Sequence, residues 1–116
     1  MEMSELLSGM VTELRRGTVT LCALCKLSRP MYGYNLLSEL AECGIAVEAN
    51  TLYPLLRRLE AQGLLVSEWN TSEAKPRKYY QTTELGKELC EKLIAHWKET
   101  MSGIDGIINE FELQEK

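Results

Sequence analysis

Three groups of residues carry side chains that could do chemistry. The first is a pair of thiols, Cys22 and Cys25, in C-x-x-C spacing, with Cys43 and Cys90 further along. Thiols so spaced serve metal binding or redox exchange. A zinc site usually draws on four ligands. No second C-x-x-C follows, and the single histidine, His96, is distant in sequence. A thioredoxin-like pair needs a β-α-β setting, which is missing around "TVTLCALCKL". That run reads as a buried helix and its thiols as core residues. No metal and no cofactor is expected. No nucleophile–base pairing can be argued from spacing, and His96 beside Trp97 reads as a rim residue, so an enzyme is not expected.

The second group lies in "NTLYPLLRRLEAQGLL", where Asn50, Thr51, Tyr53 and Arg57 stand near the start of a helical pattern. Asn can pair bidentately with adenine, Arg with guanine, and Thr can touch a thymine methyl. The third group is cationic and phenolic: Lys75, Arg77 and Lys78, with Tyr32 and Tyr34 upstream. Basic residues on a loop suit phosphate or minor-groove contact, and tyrosine hydroxyls can donate to phosphate. The formal net charge of −4 speaks against a polyanionic partner. Its distribution does not: residues 50–83 carry five basic and three acidic groups, whereas both flanks are net acidic. A local patch decides such binding more than the whole-chain sum.

The elements that must hold these groups follow from period and punctuation. With 116 residues, 45% hydrophobic and 26% charged, the chain suits one globular domain with a thin core. Glu5 to Leu27 reads as one helix with Gly17 as its weak point, apolar on most sides in its second half. "SRPMYG" breaks it. A second helix spans about Gly33 to Glu42, and "CGIAVEA" is a turn. In the third helix Leu52, Leu55, Leu56 and Leu59 keep the i, i+3, i+4, i+7 spacing, and Gly63 caps it. "LLVSEWN" and "RKYYQ" read as antiparallel strands joined by the polar loop "TSEAKP". Thr83 is an N-cap for a last long helix. There Leu85, Leu89, Leu93, Trp97, Met101, Ile104, Ile108 and Phe111 step by three or four. Such a stripe resembles a coiled-coil seam and asks for a partner chain.

Helix, turn, helix and hairpin in that order make a winged helix-turn-helix. The expected fold is mainly α with a small β-hairpin. Residues 1–82 form the winged-helix part, and 83–116 a long C-terminal dimerisation helix on which the N-terminal helix also packs. Pro54 stands inside the third helix, where proline costs about 3 kcal/mol. Either the helix starts later, near Tyr53, or the proline re-aims Asn50, Thr51 and Tyr53. The longest weakly charged run, Gly17 to Lys26, is too short for a membrane span of about 20 residues. The acidic start "MEMSELL" is unlike a secretory signal, so a cytoplasmic protein is expected.

"MYGYNLLSEL", "NTLYPLLRRLEAQGLL" and "RKYYQTTELGKEL" together resemble the PadR family of bacterial winged-helix transcriptional regulators, from about Leu14 to Trp97. Pro54 after a tyrosine is part of that pattern. The resemblance implies a homodimeric repressor on an inverted-repeat promoter operator. It implies phosphate contacts from Tyr34 and Tyr53, a basic wing at Arg77 and Lys78, and dimerisation through Thr83 to Phe111. Gln81 and Thr82 depart from the family's usual basic and aliphatic residues, and Glu73 would weaken phosphate binding at the wing. The chain is similar to the short subclass, some members of which hold flat aromatic compounds between paired tryptophans. By that likeness Trp97, Met101, Leu93 and Val11 or Leu14 would line an effector site, with Ile104 and Ile108 continuing the dimer seam. The competing expectation is a filled dimer core at Trp97. A competing function is a dimeric winged-helix module for protein contacts, without DNA binding.

Overall fold

Gly17 shapes the N-terminal third. Its backbone lies at φ +89°, in the left-handed region that glycine enters freely. The single helix expected over Glu5 to Leu27 is therefore two: α1, Met3–Arg15, and α2, Thr18–Lys26. The computed structural model describes residues 1–115, and the chain continues through β1 (Met31–Tyr32), α3 (Gly33–Glu42), α4 (Ala49–Ala61), β2 (Leu65–Asn70), β3 (Arg77–Thr82) and α5 (Glu84–Gln114).

The leucine spacing of α4 has the consequence its period dictates. Leu52, Leu56 and Leu59 are sealed from solvent, together with Leu24 and Leu27 from α2 and its end and Leu36 and Leu40 from α3. Burying each leucine contributes roughly 1.5–3 kcal/mol. The helix is continuous from Ala49: the amides of Thr51 and Leu52 both donate to the Glu48 carbonyl, at 3.0 and 2.9 Å. A start near Tyr53 is thereby corrected, and Pro54 sits well inside α4.

The sheet has three strands in the order β1-β3-β2, all antiparallel, rather than a two-stranded hairpin. In the hairpin Leu65 faces Thr82 and Asn70 faces Arg77, while Met31 and Tyr32 pair with Tyr80 and Tyr79. β1 is two residues long, too short for any period, and exists through its pairing with distant β3. The Thr82 amide donates to the Leu27 carbonyl at 2.7 Å, and its buried hydroxyl donates to the Leu24 carbonyl at 2.8 Å. Helix ends leave such carbonyls without internal partners. The Thr82 hydroxyl is thus spent on the end of α2. Gln81 reaches the Ser28 carbonyl nearby, at 3.5 Å.

Thr83 caps α5 as its type predicts: its oxygen accepts from the Gly86 amide at 3.0 Å, and its hydroxyl donates to the Gly63 carbonyl at 2.7 Å. Gly86 is buried, and a Cβ there would collide with the Leu64 carbonyl and the Thr82 side chain. The start of α5 is therefore part of the winged-helix body. Its far half is not, and α1 buries no residue at all. The molecule extends 61 × 35 × 22 Å, with a radius of gyration of 17.4 Å. A compact domain of this length would have about 13 Å.

Candidate nucleic-acid interface

The N-terminal turn of α4 is presented by the turn that follows α3. Asn50 and Thr51 are exposed there, and Arg57 is exposed one turn on. Tyr53 is half-buried, its ring lying across Gly33, where a Cβ would strike it. Gly33 thus clears the space that fixes the Tyr53 ring, and the next residue, Tyr34, projects into solvent from the start of α3.

The wing is braced by its own side chains. Asn70 begins the loop by accepting from the Ser72 amide at 3.0 Å and the Ser72 hydroxyl at 2.6 Å, an Asx-type turn. The Arg77 guanidinium lies 4.7 Å from the Tyr32 ring centre, and Tyr32 meets Tyr79 edge-to-face at 4.5 Å. Lys78 lies 3.6 Å from a Glu60 carboxylate oxygen and 5.4 Å from the Tyr80 ring centre. The other Glu60 oxygen accepts from the Ser67 hydroxyl. Lys75 is exposed in the loop.

Between α3, α4 and the wing lies a cleft of about 610 Å³. Tyr34 of α3 and Tyr53 of α4 line it together with Lys75, Arg77 and Lys78 of the wing and Tyr32 of β1. Asn50, Thr51 and Arg57 lie outside it on α4. Tyr32 ends β1 and is the N-cap position of α3, and its ring supports Arg77. Asn35 and Trp69 also line the cleft and were not singled out by sequence reasoning. Trp69 is 64% exposed. Alternation along β2 puts it on the face of buried Leu65, so its exposure was not legible in the sequence.

A second hollow, about 660 Å³ and mostly apolar, runs between the end of α1, α2 and α5. It brings together Leu14, Trp97 and Met101. Val11 instead faces a separate depression beside Val19 and Val47. Leu93 packs half-buried on the core, Ile104 is half-buried, and Ile108 is exposed. The cysteines are not uniformly core residues, because the end of α2 is open: Cys90 is buried and Cys22 half-buried, but Cys25 and Cys43 are exposed. Burial first, then the neighbouring Cys25 and Cys43, pushes the Cys22 thiol up. Among the described residues no group of three or more His, Cys, Asp or Glu side chains is placed to hold a metal ion, and no helix is long and apolar enough to cross a membrane.

Residues 21–92 match the transcriptional regulator PadR-like family. The chain belongs to the PadR-like family. A PadR family regulator from Eggerthella lenta DSM 2243 is 48% identical, with a TM-score of 0.85 over 90% of this chain and 94% of that one. A PadR-like regulator from Bacillus cereus strain ATCC 14579 is 27% identical, with a TM-score of 0.75 over 83% and 96%. The transcriptional regulator Rv3488 of Mycobacterium tuberculosis is 44% identical over 57 residues, 49% of this chain and 53% of that protein. The match thus spans about half the length of that curated relative. In this PadR-like chain two motif glycines have steric reasons: Gly33 makes room for Tyr53, and Gly86 lets α5 close on Leu64.

Proposed function

We propose that this PadR-like protein is a homodimeric repressor that binds an inverted-repeat operator. The observation that carries the reading is the cleft that Tyr34 and Tyr53 line together with Lys75, Arg77 and Lys78. Hydroxyls and cations that line one cleft suit a phosphate backbone running between recognition helix and wing. Asn50, Thr51 and Arg57, exposed on the same helix, then read base edges in the major groove. Pro54 removes the amide that would otherwise bond the Asn50 carbonyl, so the reading turn is free to tilt. The acidic whole-chain balance is no obstacle, because the cations are local.

Dimerisation is supported by unpartnered apolar surface. Met3, Leu6, Leu7, Met10 and Leu14 on α1, and Ile107, Ile108, Phe111 and Leu113 on α5, are exposed in the single chain. A second copy covering them by two-fold symmetry would place two reading heads about one DNA turn apart, ~34 Å. The groove at Leu14, Trp97 and Met101 suits a flat aromatic effector, which acts by favouring one spacing of the heads.

The test is selection of bound fragments from genomic DNA by the purified protein, repeated with Lys75→Ala plus Arg77→Ala. Enrichment of a palindromic site that the variant loses supports the reading. No enrichment at low salt turns the assignment toward a protein-contact module.

A further inference from the structure

The sulfur atoms of Cys25 and Cys90 lie 3.2 Å apart, although 65 residues separate them in the chain. One belongs to α2 and the other to α5. The two environments differ: Cys25 is open to solvent, and Cys90 is buried at 7% exposure. Cys25 also lines the apolar groove with Cys22, Cys43 and Trp97, so a small organic molecule entering it meets an accessible thiol. Nothing in DNA recognition or dimerisation uses this pair.

We propose that Cys25 and Cys90 are a peroxide-reactive dithiol that closes to a disulfide joining α2 to α5. The Cys25 thiolate attacks one oxygen of a hydroperoxide, and the O–O bond breaks. The departing alkoxide or hydroxide takes a proton to leave as alcohol or water, and Cys25 becomes a sulfenic acid. The Cys90 sulfur then attacks the Cys25 sulfur, the S–O bond breaks, and hydroxide leaves as water with the Cys90 proton. Two thiols and one peroxide give one disulfide, one alcohol or water, and one water. Electrons pass from the two sulfurs to the peroxide.

The order of the steps follows from the surroundings. Burial, then the hydrogen bond to Cys25 and its charge, pushes the Cys90 thiol up to about 12. Cys90 therefore stays protonated at neutral pH while Cys25 attacks. Once Cys25 is a neutral sulfenic acid, its charge no longer opposes ionisation of Cys90. Cys22 is one helical turn from Cys25 but carries no such sulfur contact among the described residues.

The test is intact mass and peptide mapping of the full reduced chain after hydrogen peroxide or cumene hydroperoxide, with no DNA present. It therefore stands or falls separately from the operator reading. The expected result is loss of two hydrogens and a peptide linking Cys25 to Cys90. It should persist in Cys22→Ser plus Cys43→Ser and vanish in Cys25→Ser, an exposed position where the fold is not at stake. In Cys90→Ala, dimedone should trap Cys25 as its sulfenic acid adduct. Faster reaction with cumene hydroperoxide would assign the oxidant to apolar hydroperoxides, and equal rates to hydrogen peroxide as well. No linkage with either oxidant, or a linkage through Cys22 or Cys43, would overturn the proposal.

Discussion

The two halves of α5 continue one apolar stripe but meet different surroundings. In the first half Gly86 and Cys90 are buried, and Leu89, Leu93 and Ile94 pack against the core. In the second half Ile107 is 69% and Phe111 59% exposed. Periodicity states only that a face must be covered. It does not say by what. The near half packs on α2 and β3 of its own chain, and the far half, like α1, is uncovered in the single chain. Substitutions in the two halves should therefore fail in different ways.

The largest effect is expected within the body. Leu56→Ala removes a side chain with 0% exposure and should cost about 2–5 kcal/mol in urea unfolding. A cost near zero would mean that α4 is not the centre of the core. Gly86→Ala should cost about 1–3 kcal/mol by forcing α5 away from the Leu64 carbonyl. Thr83→Ala, which deletes the α5 cap and its bond to Gly63, should cost ~1 kcal/mol.

Acid–base behaviour sharpens the same contrast. The Cys90 thiol is raised from 9.0 to about 12 in the folded chain, mainly by burial. The unfolded chain thus loses this proton first as pH rises. The associated stability is complete below pH 9 and disappears as pH climbs toward 12. Melting temperature should fall over that window, and less steeply in Cys90→Ala. Identical slopes would show that Cys90 is not buried in solution. Smallest for the fold of one chain is Phe111→Glu, expected within about 0.5 kcal/mol as for surface sites. The same variant should shift sedimentation from two chains to one. A fully dimeric Phe111→Glu protein would place the interface elsewhere.

Local signals carried much of this into the sequence. The bounds of α3 are those the apolar spacing predicts, and Thr83 caps α5 because its residue type does so wherever an N-terminus must be closed. The resemblance to PadR regulators identified the family, which the matching residues and solved relatives support. Non-local facts were illegible. β1 is a strand only because β3 lies beside it. Arg77 and Lys78 read as a basic wing, and nothing local says that one stacks on Tyr32 and the other pairs with Glu60. The Cys22–Cys25 spacing drew attention to the wrong thiol pair, since Cys25 touches Cys90 across the fold. Gly17 was visible as a weak point, but a glycine pattern does not say whether a helix bends or ends.

In the proposed function the wing and the start of α4 grip a phosphate backbone. The most direct measurement is the salt dependence of operator affinity for the wild type and for Arg77→Ala. Each phosphate contact contributes about 0.9 to the slope of log affinity against log salt. A steep slope that falls by about 1 for each wing contact removed is expected. A slope unchanged by Arg77→Ala, or an affinity indifferent to salt, would contradict it.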